Sequence, residues 1–279
     1  MQSNITISSK AAVEHRLLDL QSVSFDIASR MNDCANSVSQ VRTLFLSDMH
    51  LGATGSRADL ALALLQTTHA DKYVLVGDIV DLWHPGPSQW GADEQAIIEH
   101  IRARHREGAE IVYITGNHDP DPQAAFDTGL LPVRAKNRTV HVTADGRQFL
   151  VLHGDDAENR LLQSRILTRL GSWADRKLRS LDKWIGTYFE RSSIVQRSAI
   201  EYLLSKINWL FYFTLGHEVR LVDRSRDGGY QGVICGHFHL PALHKHHGLI
   251  YANCGDWRDS FTALTEGHDG QLNLIGGRK

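Results

Sequence analysis

No stretch of this 279-residue sequence is long and apolar enough to cross a bilayer. The longest aromatic–apolar run, Trp209 to Leu215, is far short of the ~20 residues a spanning helix needs. Cysteine is scarce: Cys34, Cys235 and Cys254 are the only three, with no Cys-x-x-Cys pair. An odd number without that spacing argues against a disulfide framework or a thiolate zinc site, and suits a reducing compartment. Net charge is also small, −2, so no global basic field points to nucleic acid. The first residues lack a basic-then-apolar signal pattern, and no repeat or low-complexity tract is present. These absences set the expectation of a soluble cytoplasmic protein, with peripheral contact at the inner membrane left open.

What is there is ordinary globular material. Hydrophobic content of 42% and charged content of 22% at this length allow one large domain with a substantial insert. Residues 1–41, rich in Ser, Asn and Gln, read as a partly disordered extension. Residues 42–278 read as the domain, with 157–227 as a helical insert. Charge is unevenly spread: Arg160 to Asp227 holds 13 Lys/Arg against 7 Asp/Glu. That excess suits either an anionic ligand or surface, or an Arg-rich solvated helical face.

Short apolar runs alternate with helical patterns. Thr43–Leu46, Tyr73–Val76 and Glu110–Ile114 read as strands, and Ala58–Leu65 and Ala92–Arg106 as helices between them, a βαβ arrangement. Val140 to Leu152 reads as a hairpin with Asp145-Gly146 as a two-residue type I′ turn. Gly232–Cys235 is a further strand. Leu243–His246 and Leu249–Asn253 form a second hairpin, and Ser260–Thr265 and Gln271–Ile275 close the chain.

Each of five strands ends in side chains able to hold a metal. Asp48 and His50 follow the first, and strand alternation predicts that they share a face. Asp78 follows the second, Asn117 the third, and His153 the hairpin. His237 and His239 follow Cys235. In an α/β sheet, ligands bind at the carboxyl ends of strands. Seven donors exceed the three or four protein ligands of one open site, which implies two divalent metals. Asp78 is the natural bridge, having two oxygens. A His, Asp and Asn set without thiolate suits Mn²⁺, the first expectation, or Fe or Zn²⁺. Two metals roughly 3.5–4 Å apart make a clamp for phosphoryl transfer, in which a bridging hydroxide attacks phosphorus. His118 remains after the ligands are assigned and is placed to protonate the leaving oxygen, with Asp81 to fix its tautomer.

Together, Asp48-x-His50, Gly77-Asp78-x-x-Asp81, Gly116-Asn117-His118-Asp119, His153-Gly154 and Gly236-His237-x-His239 resemble the signature of the calcineurin-like metallophosphoesterases, over about residues 42–278. The resemblance implies a four-layer α/β/β/α sandwich. It implies one metal on Asp48, His50, Asp78 and His239, and another on Asp78, Asn117, His153 and His237. It agrees with pairing Asp81 to His118. Protein phosphatases of this fold usually carry Arg after the second Asp, where Leu82-Trp83 stands here. Ser47 to Gly52, the helical insert and Tyr251 to Trp257 resemble the UDP-2,3-diacylglucosamine pyrophosphatase-like group of lipid A synthesis. One departure is Gly-Asn-His-Asp where its best-characterised members look like Gly-Asn-Arg-Asp.

That resemblance implies a phosphorylated small-molecule or nucleotide-lipid substrate. Trp83, Arg176, Lys177, Arg179 and Lys183 are candidate substrate contacts. The amphipathic insert, with Trp173, Trp184, Trp209, Phe211 and Phe213, suits an acyl groove or a membrane surface, or equally a helical cap packed on its own core or on a second subunit. His84, His244, His246 and His247 read as loop histidines, Cys254 as a small buried apolar residue, and Asp119 to Pro122 as a helix start. A nucleotide or other small phosphoester is the alternative substrate, and a non-catalytic scaffold of the same fold the remaining reading.

Overall fold

The alternation of apolar strands with amphipathic helices builds a sheet whose first strands are parallel. The computed structural model describes residues 39–81, 90–119, 124–127, 129–155, 177 and 216–277. In it β1 (Ser39–Leu46), β2 (Thr68–Val76), β3 (Glu110–Ile114) and the short β4 (Ala135–Lys136) run parallel. Two antiparallel strands, β10 (Thr262–Glu266) and β11 (Leu272–Gly276), complete the sheet in the order β11-β10-β1-β2-β3-β4. The second sheet has the order β5 (Arg138–Val142), β6 (Gln148–Leu152), β7 (Gly232–Cys235), β9 (Leu249–Asn253) and β8 (Ala242–His246). Its three inner strands are parallel and its two edges antiparallel.

Strand alternation decides the layers. Phe45, Val74, Val76, Val112 and Ile114 point from the first sheet to Phe149, Val151, Ile234, Ala252 and Cys254 of the second. Their neighbours Leu44, Leu46, Tyr73 and Leu75 point the other way, as a period of two requires. There they meet α1 (Ala58–Thr67) and α2 (Ala92–Arg106) through Ala61, Leu65, Ile97, Ile98 and Ile101. On the far side, Leu150, Leu152, Val233, Cys235 and Tyr251 meet Leu221 and Val222 of α4 (His217–Asp227). A short α3 (Ala124–Asp127) follows β3. The result is an α/β/β/α sandwich. Each large apolar side chain buried in it contributes roughly 1.5–3 kcal/mol. Cys254 is a fully buried part of the inter-sheet core.

The structure alters three expectations. The β5–β6 connection is not a two-residue type I′ turn. Thr143 N–H bonds the Arg147 carbonyl at 2.9 Å, and Gly146 N–H the Thr143 carbonyl at 2.9 Å. Gly146 alone takes a positive φ, +86°, while Asp145 does not; type I′ needs both. β1 begins at Ser39 and so takes in the last residues of the segment read as an extension. The stretch read as an insert, 157–227, lies outside the described residues except for Lys177, which is exposed, and its end. That end, α4, packs as the outer layer of the second sheet. No helix among the described residues is long and apolar enough to cross a membrane.

Candidate metal centre

The parallel strands β1, β2, β3, β6 and β7 end on one edge of the sandwich, and the donor residues lie in the loops just beyond them. The loops after β1 and β2 are zipped together: Asp48 N–H bonds the Gly77 carbonyl at 3.0 Å, His50 that of Asp78 at 2.9 Å, and Leu51 that of Ile79 at 2.9 Å. Strand alternation does not bring Asp48 and His50 together. β1 stops at Leu46, and both residues are left-handed, with φ of +52° and +46°. Asp78 (+52°), His237 (+76°) and His239 (+57°) share that conformation. Such backbone costs of order 1 kcal/mol per residue or more, and Asp and His are among the few types that tolerate it.

The motif glycines permit close approach. A Cβ on Gly116 would lie 2.2 Å from Asp78 Oδ1 and 2.6 Å from the Asp78 nitrogen. On Gly236 it would lie 1.8 Å from Ser47 Oγ and 2.4 Å from Asp48 Oδ2.

The imidazoles are oriented from behind. His153 Nδ1 donates to the Val76 carbonyl at 2.9 Å, which leaves Nε2 as the lone pair. That Nε2 is 3.3 Å from Asp78 Oδ2. His239 Nδ1 is backed by Asp256 Oδ2 at 3.3 Å, and its Nε2 faces Asp48 Oδ1 at 3.3 Å. His50 Nδ1 is backed by Asp81 Oδ2 at 3.6 Å. Its Nε2 lies 3.4 Å from His239 Nε2, 3.8 Å from Asp78 Oδ2 and 3.9 Å from Asp48 Oδ1.

An Nε2 atom that faces a carboxylate oxygen calls for a cation between the two, a proton or a metal ion. The residues therefore fit divalent ions, and the backed imidazoles are the outer-shell support such ligands need. Asp48 Oδ1, Asn117 Oδ1 and His153 Nε2 are buried without a hydrogen-bond partner. Asp48, His50 and His239 converge as one donor group, and Asp48, Asp78 and His153 as another. His237 donates its N–H to Asp48 Oδ2 at 2.9 Å, and its ring stands edge-on to His153 with centroids 5.1 Å apart.

Electrostatics agree. Burial alone would push His153 down, but the charges of Asp78 and Asp48 hold it well above the ordinary imidazole value. His239 is likewise raised against its burial, first by Asp256. Positive charge is thus favoured where the rings meet the carboxylates. Burial opposes ionisation of Asp48, yet His153 and His239 bring it down to about 2.

Asp78 uses its oxygens differently from the two-oxygen bridge expected. Oδ1 accepts the His118 backbone N–H at 2.7 Å. Only Oδ2 faces both His153 and His50, so Asp78 stands between the two donor groups. Asp81 is also shared: its Oδ2 lies 3.6 Å from His118 Nδ1 as well as from His50 Nδ1. Burial opposes its charge, but His118 and His50 hold Asp81 well below the carboxylate range. His118 is raised, burial being outweighed by Asp78 and Asp81. Lys177 is exposed, whereas Trp83, Arg176, Arg179 and Lys183 lie outside the described residues.

Three supporting residues escaped the sequence reading. Asp119, read as part of a helix start, instead accepts the N–H groups of Asp78, Ile79, Val80 and Gly116 at 2.8–3.1 Å. Asp256 backs His239 and also accepts the N–H groups of Arg258, Asp259 and Ser260. His217, the first residue of α4, packs 5.9 Å from the His237 ring and 4.6 Å from Phe238. Burial, with His237 and His153 nearby, pushes it down to about 2, so it serves as a neutral wall. Asp119 was visible as part of Gly-Asn-His-Asp; nothing local in the sequence marks the other two.

A two-sheet sandwich with Asp, His and Asn gathered at its strand ends defines a metal-dependent hydrolase. Residues 41–241 match the sequence model of the calcineurin-like phosphoesterases, and the chain belongs to that family. No curated protein matches it significantly in sequence. Among solved structures it is similar to Yfce, a phosphoesterase from E. coli (12% identity, 85% of this chain, 99% of that one, TM-score 0.42). It is also similar to a Vps29 single mutant from Entamoeba histolytica (13%, 83% and 96%, TM-score 0.39). A third similar structure is an archaeal phosphodiesterase (13%, 84% and 98%, TM-score 0.41).

Proposed function

We propose that the protein is a dinuclear phosphoesterase that hydrolyses the pyrophosphate of a nucleotide-linked glycolipid, in the manner of UDP-2,3-diacylglucosamine pyrophosphatase. The observation that carries the dinuclear reading is Asp78 Oδ2, which faces His153 on one side and His50 on the other. Asp48, His50, Asp78 and His239 would hold one divalent ion, and Asp78, Asn117, His153 and His237 the other, with Mn²⁺ the first choice and Fe or Zn²⁺ compatible. When bound, the pair supplies an activated water and offsets charge on the phosphoryl oxygens.

The chain's own groups do the rest. Asp81 Oδ2 stands 3.6 Å from His118 Nδ1 and orients that ring through its charge, which would leave Nε2 for the leaving-group oxygen. The charges of Asp78 and Asp81 raise that ring's pKa against its burial, the direction a general acid needs. His153 and His239 are held by Val76 and Asp256 and need little reorganisation. The substrate class rests on the resemblance of Ser47–Gly52 and Tyr251–Trp257 to the lipid A group, and on the basic, aromatic segment before α4, which would meet phosphate, acyl chain or membrane surface.

His118, standing where the better-characterised relatives carry Arg, favours a second reading, a nucleotide or other small phosphoester. A ³¹P product assay on UDP-2,3-diacylglucosamine beside a panel of nucleotide diesters, each with Mn²⁺, separates the two. UMP and lipid phosphate as products support the lipid reading. Turnover of diesters alone supports the other. No metal-dependent turnover of either, or of aryl phosphodiesters, removes both and leaves a non-catalytic scaffold.

A further inference from the structure

Away from the metal centre, the first turn of α4 meets the edge strand β8. Glu218 on α4 is 5% exposed. Its Oε1 lies 2.6 Å from His244 Nε2 and 2.5 Å from His246 Nδ1. His244 and His246 are two residues apart on one strand and so present the same face. Neither is a loop histidine, and the His246 side chain is only 13% exposed.

We propose that Glu218, His244 and His246 form a third divalent-cation site, distinct from the phosphoesterase centre and suited to a zinc-class ion. Two imidazole nitrogens and a carboxylate oxygen are a sufficient protein set for such an ion, with a further position for water. The three donor atoms lie within 4.8 Å of one another, and both rings converge on the same oxygen. A proton can occupy that meeting point, and so can a metal. The ligands stand on regular elements rather than on a long loop: β8 is paired along its length with β9, and α4 is packed on the sheet by Leu221 and Val222. Rigid placement lowers the cost of assembling a site.

The position gives the ion a structural consequence. His217 precedes Glu218 and packs on Phe238 and His237. β9 leads into Asn253, whose Nδ2 donates to the Gly236 carbonyl at 2.8 Å. A cation clamping α4 to β8 would fix both the helix start and the strand pair beside the His237 loop.

The test is metal content of the full-length protein after dialysis against Zn²⁺, read by mass spectrometry, with folding followed by circular dichroism. The wild type is expected to hold three equivalents. Glu218→Gln and His246→Gln should each hold two, and Asp78→Asn should keep one. Two equivalents in the wild type, unchanged in Glu218→Gln, overturn the site; so does an Asp78→Asn protein that folds and holds none. If the Glu218 and His246 variants fail to fold, an anomalous-difference map at the zinc edge on the wild type decides. A peak among the three side chains supports the site and its absence rejects it. An Asp78→Asn variant that keeps all its zinc would count against the dinuclear centre instead, so the two failures are distinguishable.

Discussion

The carboxylate of Asp119 holds the backbone of Asp78. Its Oδ2 accepts the Asp78 N–H at 2.8 Å and that of Gly116 at 2.8 Å, while Oδ1 takes Ile79 at 3.0 Å and Val80 at 3.1 Å. Asp119→Ala leaves these donors without their acceptor, at roughly 1–3 kcal/mol for each one left buried and unpaired. The expected outcome is a loss of at least about 3 kcal/mol in urea unfolding, together with loss of bound metal. Asn should not rescue, because its amide would place a donor against N–H groups. Unchanged stability with lost turnover would make Asp119 a participant in the reaction rather than a support.

His118 and His50 share Asp81, whose Oδ2 is 3.6 Å from each Nδ1. Their variants should therefore separate. His118→Ala is expected to lower kcat by about 10²–10⁴ with metal content intact, since its side chain is not a proposed ligand. Asp81→Ala should lower kcat and also weaken metal binding by about 10–100-fold, through the loss of support for His50. Metal titration of both variants checks this. Equal metal affinity in the two would mean that Asp81 acts through His118 alone, and emptying of the site by His118→Ala would refute its assignment as the acid.

Gly116 faces the Asp78 carboxylate so closely that a methyl group at its Cα would overlap Oδ1, at 2.2 Å. Gly116→Ala should displace Asp78 and abolish binding of both catalytic ions, though the substitution adds one carbon and changes no charge. Metal analysis with a thermal melt tests it. A folded variant that keeps two ions would show that the loop after β3 can yield by more than an ångström.

The candidate donors were legible because each follows a short apolar strand, and strands and breakers are local patterns. The layers were legible for the same reason: Leu44 and Leu46 against Phe45 already split the faces. What the sequence did not reveal is long-range or conformational. Asp256 lies 17 residues beyond His239 in the chain and meets it only because β9 runs parallel to β7. His217 and Glu218 reach the sheet only when α4 docks. The left-handed backbone of Asp48 and His50 departs from the alternation that a strand would impose, so alternation is not what brings these two side chains together. The hairpin turn erred similarly: Asp145-Gly146 has I′ chemistry, but Asp145 is held by bonds from Thr143 Oγ1 at 2.6 Å and Arg147 Nε at 2.8 Å.

Glu266 makes the stability of the sandwich depend on pH at a point away from the metals. It is fully buried on β10. Oε1 accepts Arg42 Nη1 at 2.5 Å and the Ala144 N–H at 2.7 Å; Oε2 accepts Thr43 Oγ1 at 2.7 Å and meets His141 Nε2 at 2.8 Å. These contacts join β1 and β10 of one sheet to β5 of the other. Burial opposes the charge, but His141, Thr43 and Ala144 bring Glu266 down from 4.5 to about 2. Because the folded value lies below the unfolded one, the stabilisation is complete above about pH 4.5 and is lost as pH falls toward 2. The difference corresponds to about 3 kcal/mol. Glu266→Gln should be less stable at pH 7, since its amide donor meets some of the same donors, and should lose less between pH 5 and pH 2. Urea unfolding of both proteins in metal-free buffer across that range reads the contrast. Parallel pH profiles would mean that the acid sensitivity resides elsewhere.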